Sequence, residues 1–349
     1  MIPKEVSLVV TAFLAVASTL SASAQTTRQP EIKPARPSTR SVVKQGGVNI
    51  AEEDGKLVIE IGGRPFAEYH YQDASKPYLY PVLGPGGLPM TRDWPMKNVP
   101  GEDHDHPHHR SLWYAHGDIN GQDFWSESDK AGKTVHQKFE LIQSGSEVGI
   151  IKSFNKLVAH DGKVVATDER TFRFYNRTDQ RLFDFEITIR ATEGPLTFGD
   201  TKEGTMAVRL AETMRLTLPK GKPGQGHIVN SEGVRDNATW GKRAKWCDYY
   251  GPVEGKIVGL AIFDNPSNPR YPTWWHVRDY GLFAANPFGV HDFEKKPAGT
   301  GNLTVPSGSS ITFRYRFYIH DGDEKQADVA GQYDQYVAET TKTAPQPNK

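Results

Sequence analysis

Residues 310–320 read Ser310-Ile311-Thr312-Phe313-Arg314-Tyr315-Arg316-Phe317-Tyr318-Ile319-His320. Ile311, Phe313, Tyr315, Phe317 and Ile319 hold every second place, with Thr312, Arg314, Arg316 and Tyr318 between them. Successive side chains of an extended chain point to opposite faces, so this alternation predicts a strand with one buried face. Phe183, Phe185, Ile187 and Ile189 repeat the pattern against Asp184, Glu186, Thr188 and Arg190. Lys56 to Ile61 lies between the turn signals Asp54-Gly55 and Gly62-Gly63, with Phe66 to Tyr71 as its hairpin partner. Val135, Phe139 and Leu141 are expected to share one face of a further strand, with Gln137 the polar exception. Helical character is confined to Glu324 through about Thr340, where Ala327, Val329 and Tyr336 would dock. The fold expected is all-β, a large antiparallel β-sandwich with one C-terminal helix.

Outside that domain, Met1 to Ala24 has an early lysine, an apolar run from Val6 to Leu20 and the small residues Ala22-Ser23-Ala24, the pattern of a signal peptide cleaved before Gln25. Residues 25–46 are rich in Pro, Thr, Ser and basic groups and read as a disordered linker. The sandwich is expected over 47–322, followed by a helix and tail over 323–349. No stretch offers the roughly 20 apolar residues of a spanning helix, so an exported protein, periplasmic or extracellular, is expected. Cys247 is the one cysteine, which excludes an intrachain disulfide and suits a small buried hydrophobe. Lys plus Arg equals Asp plus Glu at 42 each, so no overall field points to nucleic acid or an anionic membrane.

Chemistry is densest from His104 to Trp125, where five of the twelve histidines lie between His104 and His116 beside Asp103, Asp105, Arg110, Asp118 and Asp123. Pro107, Gly117 and Gly121 make this a loop-rich segment, and Trp113, Tyr114, Phe124 and Trp125 add flat apolar faces. Aromatic walls with convergent polar atoms describe a ligand site better than a solvated loop. Two further stretches share that character: Asp200-Thr201-Lys202-Glu203-Gly204 with Arg209, and Trp274-Trp275-His276-Val277-Arg278-Asp279-Tyr280-Gly281 running on to Asn286-Pro287-Phe288-Gly289. The first also reads as a surface ion-pair network. Brought together, the stretches would form a cleft suited to hydroxyl-rich ligands that stack a ring face. Trp240 and Trp246 would rim it or belong to the core.

The motifs Asp105-His106-Pro107-His108-His109-Arg110-Ser111-Leu112-Trp113, Asn120-Gly121-Gln122-Asp123-Phe124-Trp125, Lys202-Glu203-Gly204 and Trp275 through Gly289 resemble the secreted PmoA-like family over about Gly47 to Asp321. The methane oxygenase label attached to that family implies an integral membrane subunit, which the hydropathy of this chain does not match. The strand pattern is also similar to the galactose-mutarotase-like supersandwich, a resemblance that implies a sugar ligand more firmly than any one reaction.

The expected function is acid–base chemistry on a sugar or oligosaccharide, of epimerase, lyase or hydrolase type. Glu203 is the expected base and His109 or His108 the acid. Arg110, Arg278 and Asn286 would hold ring oxygens or a carboxylate, Trp125 and Trp275 would stack, and His116, Asp123, Arg209 and His276 complete the substrate-binding set. One alternative is a carbohydrate-binding module without turnover. Another is a metal-dependent oxidoreductase using His104, His106 and His108; no cofactor is expected, because Arg110 beside these imidazoles repels a cation and no glutamate follows at a ligating position.

Overall fold

The computed structural model describes residues 46–177 and 180–343. The leader-like segment 1–24, all of the linker but Gly46, and the tail from residue 344 lie outside the described residues.

The strands in chain order are β1 (Val48–Glu53), β2 (Lys56–Ile61), β3 (Arg64–His70), β4 (Tyr78–Val82), β5 (Leu112–His116), β6 (Lys133–Gln143), β7 (Val148–Val158), β8 (Val164–Tyr175), β9 (Arg181–Arg190) and β10 (Leu196–Phe198). They continue with β11 (Gly204–Arg209), β12 (Thr217–Leu218), β13 (Lys222–Pro223), β14 (His227–Asn230), β15 (Trp246–Val253), β16 (Lys256–Asp264), β17 (Trp274–Val277), β18 (Leu282–Asn286), β19 (Leu303–Val305) and β20 (Ser310–Asp321). Helices α1 (Val290–Glu294) and α2 (Val329–Thr343) interrupt or follow them. Two eight-stranded antiparallel sheets result, ordered β1-β2-β3-β4-β5-β11-β18-β17 and β14-β15-β16-β20-β9-β8-β7-β6. One apolar core joins the inner faces of both, so the chain is an all-β sandwich.

The alternating stretch becomes β20, central in the second sheet between β16 and β9. Ile311, Phe313, Tyr315, Phe317 and Ile319 all enter the core, and Phe317 lies opposite Phe183 with their rings stacked at 4.6 Å. The other face is also covered, because α2 lays Val329, Tyr333 and Tyr336 on Tyr318, Phe263 and Trp246. Arg316 survives burial there by pairing with Asp184 at 2.6 Å and with Glu339. The helix starts at Val329, later than its sequence pattern suggests. Asp323 accepts from the backbone of Lys325 and Gln326 in a turn, and Asp328 sits at φ +49 just before the first helical residue.

β6 departs from the expectation that Val135, Phe139 and Leu141 share a face. Its register against β7 shifts between His136 and Lys138 and again between Phe139 and Leu141. Each bulge inverts the alternation, so Phe139 packs against the core while Val135 and Leu141 are exposed on an edge strand.

The outer face of the first sheet positions the site. Trp113, Ala207, Ala284 and His276 stand level across β5, β11, β18 and β17. The two alanines leave a shallow floor between the larger side chains, and Trp125 closes over it in a small apolar cluster.

Candidate functional site

A cleft of about 490 Å³ opens above this floor, lined by His106, His108, His109, Asp123, Trp125, Lys202, Glu203, His276, Arg278 and Tyr280 among others. Three distant stretches meet here. Gly117 permits the junction: its N–H donates to Glu203 O at 2.7 Å, and a side-chain carbon there would come within 2.8 Å of the Glu203 Cβ.

The anchor of the histidine loop is Asp105. The buried guanidiniums of Arg92 and Arg209 both donate to its Oδ1, the latter at 2.7 Å, and Arg92 also binds the carbonyls of Asp105 and His106. Burial alone would raise its carboxyl. The hydrogen bond from His106 and the charge of Arg209 instead hold it well below the usual carboxylate range.

These anchors fix which ring nitrogens carry protons. His106 Nδ1 lies 3.0 Å from Asp105 Oδ2, and an ionised carboxylate only accepts, so a hydrogen on Nδ1 would face the carboxylate. His109 is the converse case: Arg209 only donates, at 3.2 Å, so His109 Nδ1 accepts and Nε2 holds the hydrogen. His276 is set likewise by the indole N–H of Trp240, which donates to Nδ1 at 2.9 Å. Burial, with the charge of Arg209, drives His109 well below its ordinary value. Burial, with Arg278 and Lys202, lowers His276 to about 3, and burial, with Lys76, lowers His108 to about 4. At neutral pH His109 and His276 are therefore neutral, each with its hydrogen on Nε2. His106 is sandwiched between His109, 4.6 Å away, and Tyr280, 5.2 Å away, with all three rings nearly parallel.

Around this stack, Glu203 pairs with Lys202, and Asp123 accepts from the backbone of Trp125 and Ser126 and from the Ser126 hydroxyl. The indole N–H of Trp125 is buried with no partner among the described residues. Arg278 makes no ion pair there either; its guanidinium lies over the rings of Tyr280 and Trp240 at 5.6 and 5.9 Å.

Of the residues singled out in the sequence, His108, His109, Asp123, Trp125, Glu203, His276 and Arg278 come together in the cleft. The others do not. Arg110 forms a two-pronged pair with Glu127, both contacts 2.7 Å, beside the buried Lys76. Arg209 is spent on Asp105 and His109 beneath the surface. His116 faces the inner core, donating Nε2–H to Gly199 O against Phe288. Trp275 also points inward, its indole donating to Ala244 O. Asn286 uses its amide on the carbonyls of Thr201 and Lys202 and on the backbone N–H of Phe288 and Gly289, which ties the β18 turn to the Glu203 loop. His104 stacks on Trp94 at 4.0 Å, apart from the cleft lining. Among the described residues, no three His, Cys, Asp or Glu side chains are arranged to hold a metal ion, so His104, His106 and His108 form no such set.

Asp105, Arg92 and Tyr280 were not singled out as site residues by their sequence, although Asp105 and Tyr280 stand inside the motifs. Trp246 lies in the core under α2, whereas Trp240 backs the cleft wall through its bond to His276. A larger groove of about 900 Å³ runs beside α2, but its arginines are largely neutralised, Arg316 by Asp184 and Glu339 and Arg314 by Glu186. The smaller cleft holds Arg278, which no carboxylate among the described residues pairs with. No helix among the described residues is long and apolar enough to cross a membrane.

Solved structures similar to this chain include a glycoside hydrolase family 97 enzyme from Pseudoalteromonas sp. strain K8 in complex with panose, at 10% identity and TM-score 0.32 over 79% of this chain and 34% of that one. Others are a galactose mutarotase related enzyme from Lactobacillus acidophilus, at 10% identity and TM-score 0.28 over 78% and 97%, and a putative aldose 1-epimerase from Escherichia coli K12, at 11% identity and TM-score 0.27 over 79% and 99%. The chain spans about a third of the hydrolase's length, and at these identities and TM-scores the likenesses say nothing of chemistry. No curated protein matches the chain. The family model that does match carries no PmoA-like name: residues 56–334 fit a family of unknown function (DUF6807), and the chain belongs to that family.

Proposed function

We propose that the cleft binds a sugar and performs acid–base chemistry on it, with His106, backed by Asp105, as the proton acceptor and Glu203 as the second titratable group. The observation that carries this reading is the grouping of imidazoles in one cleft: His106, with Nδ1 against the Asp105 carboxylate, beside N–H donors on His109 and His276. A sugar hydroxyl both donates and accepts, so such a set can take a proton from one oxygen or carbon while steadying another oxygen. Trp125 and Tyr280 add apolar aromatic surface to the cleft wall. His108 and His109, held neutral, act here as hydrogen-bonding groups rather than as the cationic acid expected of them from sequence.

Epimerisation, elimination and hydrolysis all use such a pair of groups. Proton NMR of the purified protein with a panel of reducing sugars and oligosaccharides separates the outcomes. New sugar signals mean turnover, line broadening without products means a binding module, and unchanged spectra throughout the panel contradict the sugar reading.

A further inference from the structure

Arg278 is the cation in the cleft with no counter-charge in contact. Its guanidinium rests on the rings of Tyr280 and Trp240, and no carboxylate among the described residues pairs with it. The two acids that share the cleft are already committed, Glu203 to Lys202 and Asp123 to Ser126 and two backbone N–H groups. Deeper in the wall, Asp105 alone answers both Arg92 and Arg209. Among the described residues, then, no carboxylate is in place to neutralise Arg278 when a ligand displaces water from around it. A guanidinium left unpaired in that way is costly, and its planar fork matches an oxyanion with two parallel hydrogen bonds.

Resting on the sugar reading above, we propose that the ligand is a sugar bearing an oxyanion, a ring carboxylate in the first instance, and that Arg278 receives it. The electrostatics agree: after burial, the largest influence on the buried ring of His109 is the charge of Arg209 and on that of His276 the charge of Arg278. The N–H groups of His109 and His276 then remain for hydroxyls and the ring oxygen.

Isothermal titration of the full chain with D-glucuronate against D-glucose, D-galacturonate against D-galactose, and D-glucose 6-phosphate tests this. The acid is expected to bind at least about tenfold more tightly than its neutral parent, with the preference lost in Arg278→Gln and weakened by salt. Arg278→Lys, which keeps the charge without the fork, should fall between and carries the test if the glutamine variant does not fold. A phosphate preferred over the uronates keeps the oxyanion and assigns it to an ester. Equal affinity for acid and neutral parent overturns the inference while leaving the sugar reading standing. Failure of every sugar with folded protein overturns both.

Discussion

His106 and His109 stack ring on ring at 4.6 Å and 10°, yet set their Nδ1 atoms against groups of opposite charge. The cause lies one layer down. Asp105, which only accepts, holds His106 Nδ1, and Arg209, which only donates, holds His109 Nδ1. Because Arg209 also grips Asp105, one ion pair stands behind both rings.

The layering predicts different costs for adjacent residues. His106 has a side chain that is 39% exposed, so His106→Asn should remove turnover or binding with little change in melting temperature. Asp105→Asn leaves two buried guanidiniums without their shared charge and should cost about 3–5 kcal/mol as well as function. Denaturant melts of both variants check this, and equal destabilisation would show that His106 is a structural residue.

Glu203 is placed at the rim, paired with Lys202 on the solvent side. Glu203→Gln should keep sugar binding and lose turnover, read as unchanged affinity with a fall of about 100-fold or more in rate. Full turnover in that variant removes Glu203 from the chemistry.

Stability should fall as pH drops from about 6.5 towards 4. Burial keeps His108 and His116 neutral down to about 4 and His276 to about 3, while the unfolded chain protonates its histidines near 6.5. Within that window the unfolded state binds more protons, at up to about 1.4 kcal/mol per pH unit for each such group. Asp264 works the other way: burial raises its carboxyl to about 7, so its contribution is present at low pH and lost as pH rises through that value. His320, raised by Asp248 against the pull of burial, likewise loses its contribution above 6.5. The imidazoles outnumber these opposing groups, and a melting temperature flat from pH 7 to 4 would contradict their neutral burial.

Cys247 is fully buried and burial pushes its thiol well up. A thiol reagent should find no reactive group in the native protein and one after guanidinium unfolding. Prompt reaction of the native chain would mean that the β15 edge of the core opens readily.

The strands were legible where one periodicity ruled. Ser310 to His320 and Arg181 to Arg190 alternate cleanly because one face of each meets the core and the other meets charges or α2. β6 was not, since its two bulges leave no trace in residue type. The cleft was legible as a meeting of three motif stretches, but not side chain by side chain. The strands beneath it are covered on both faces, so Leu112–His116 and Trp274–Val277 are buried throughout and show no alternation. Nothing in the order Trp275-His276 says which side chain faces outward. The Asp105–His106 contact was hidden for another reason: side chains of sequence neighbours ordinarily diverge, and His106 meets Asp105 in a loop where its own φ is +42.

Hydrogen–deuterium exchange of the full chain, with and without the tightest sugar of the NMR panel, tests the central claim most directly. A sugar site in the cleft predicts slower exchange in peptides spanning 104–109, 123–126, 202–204 and 276–281. Protection confined to 173–186, 314–316 and 336–341, the groove beside α2, or no protection anywhere, would contradict it.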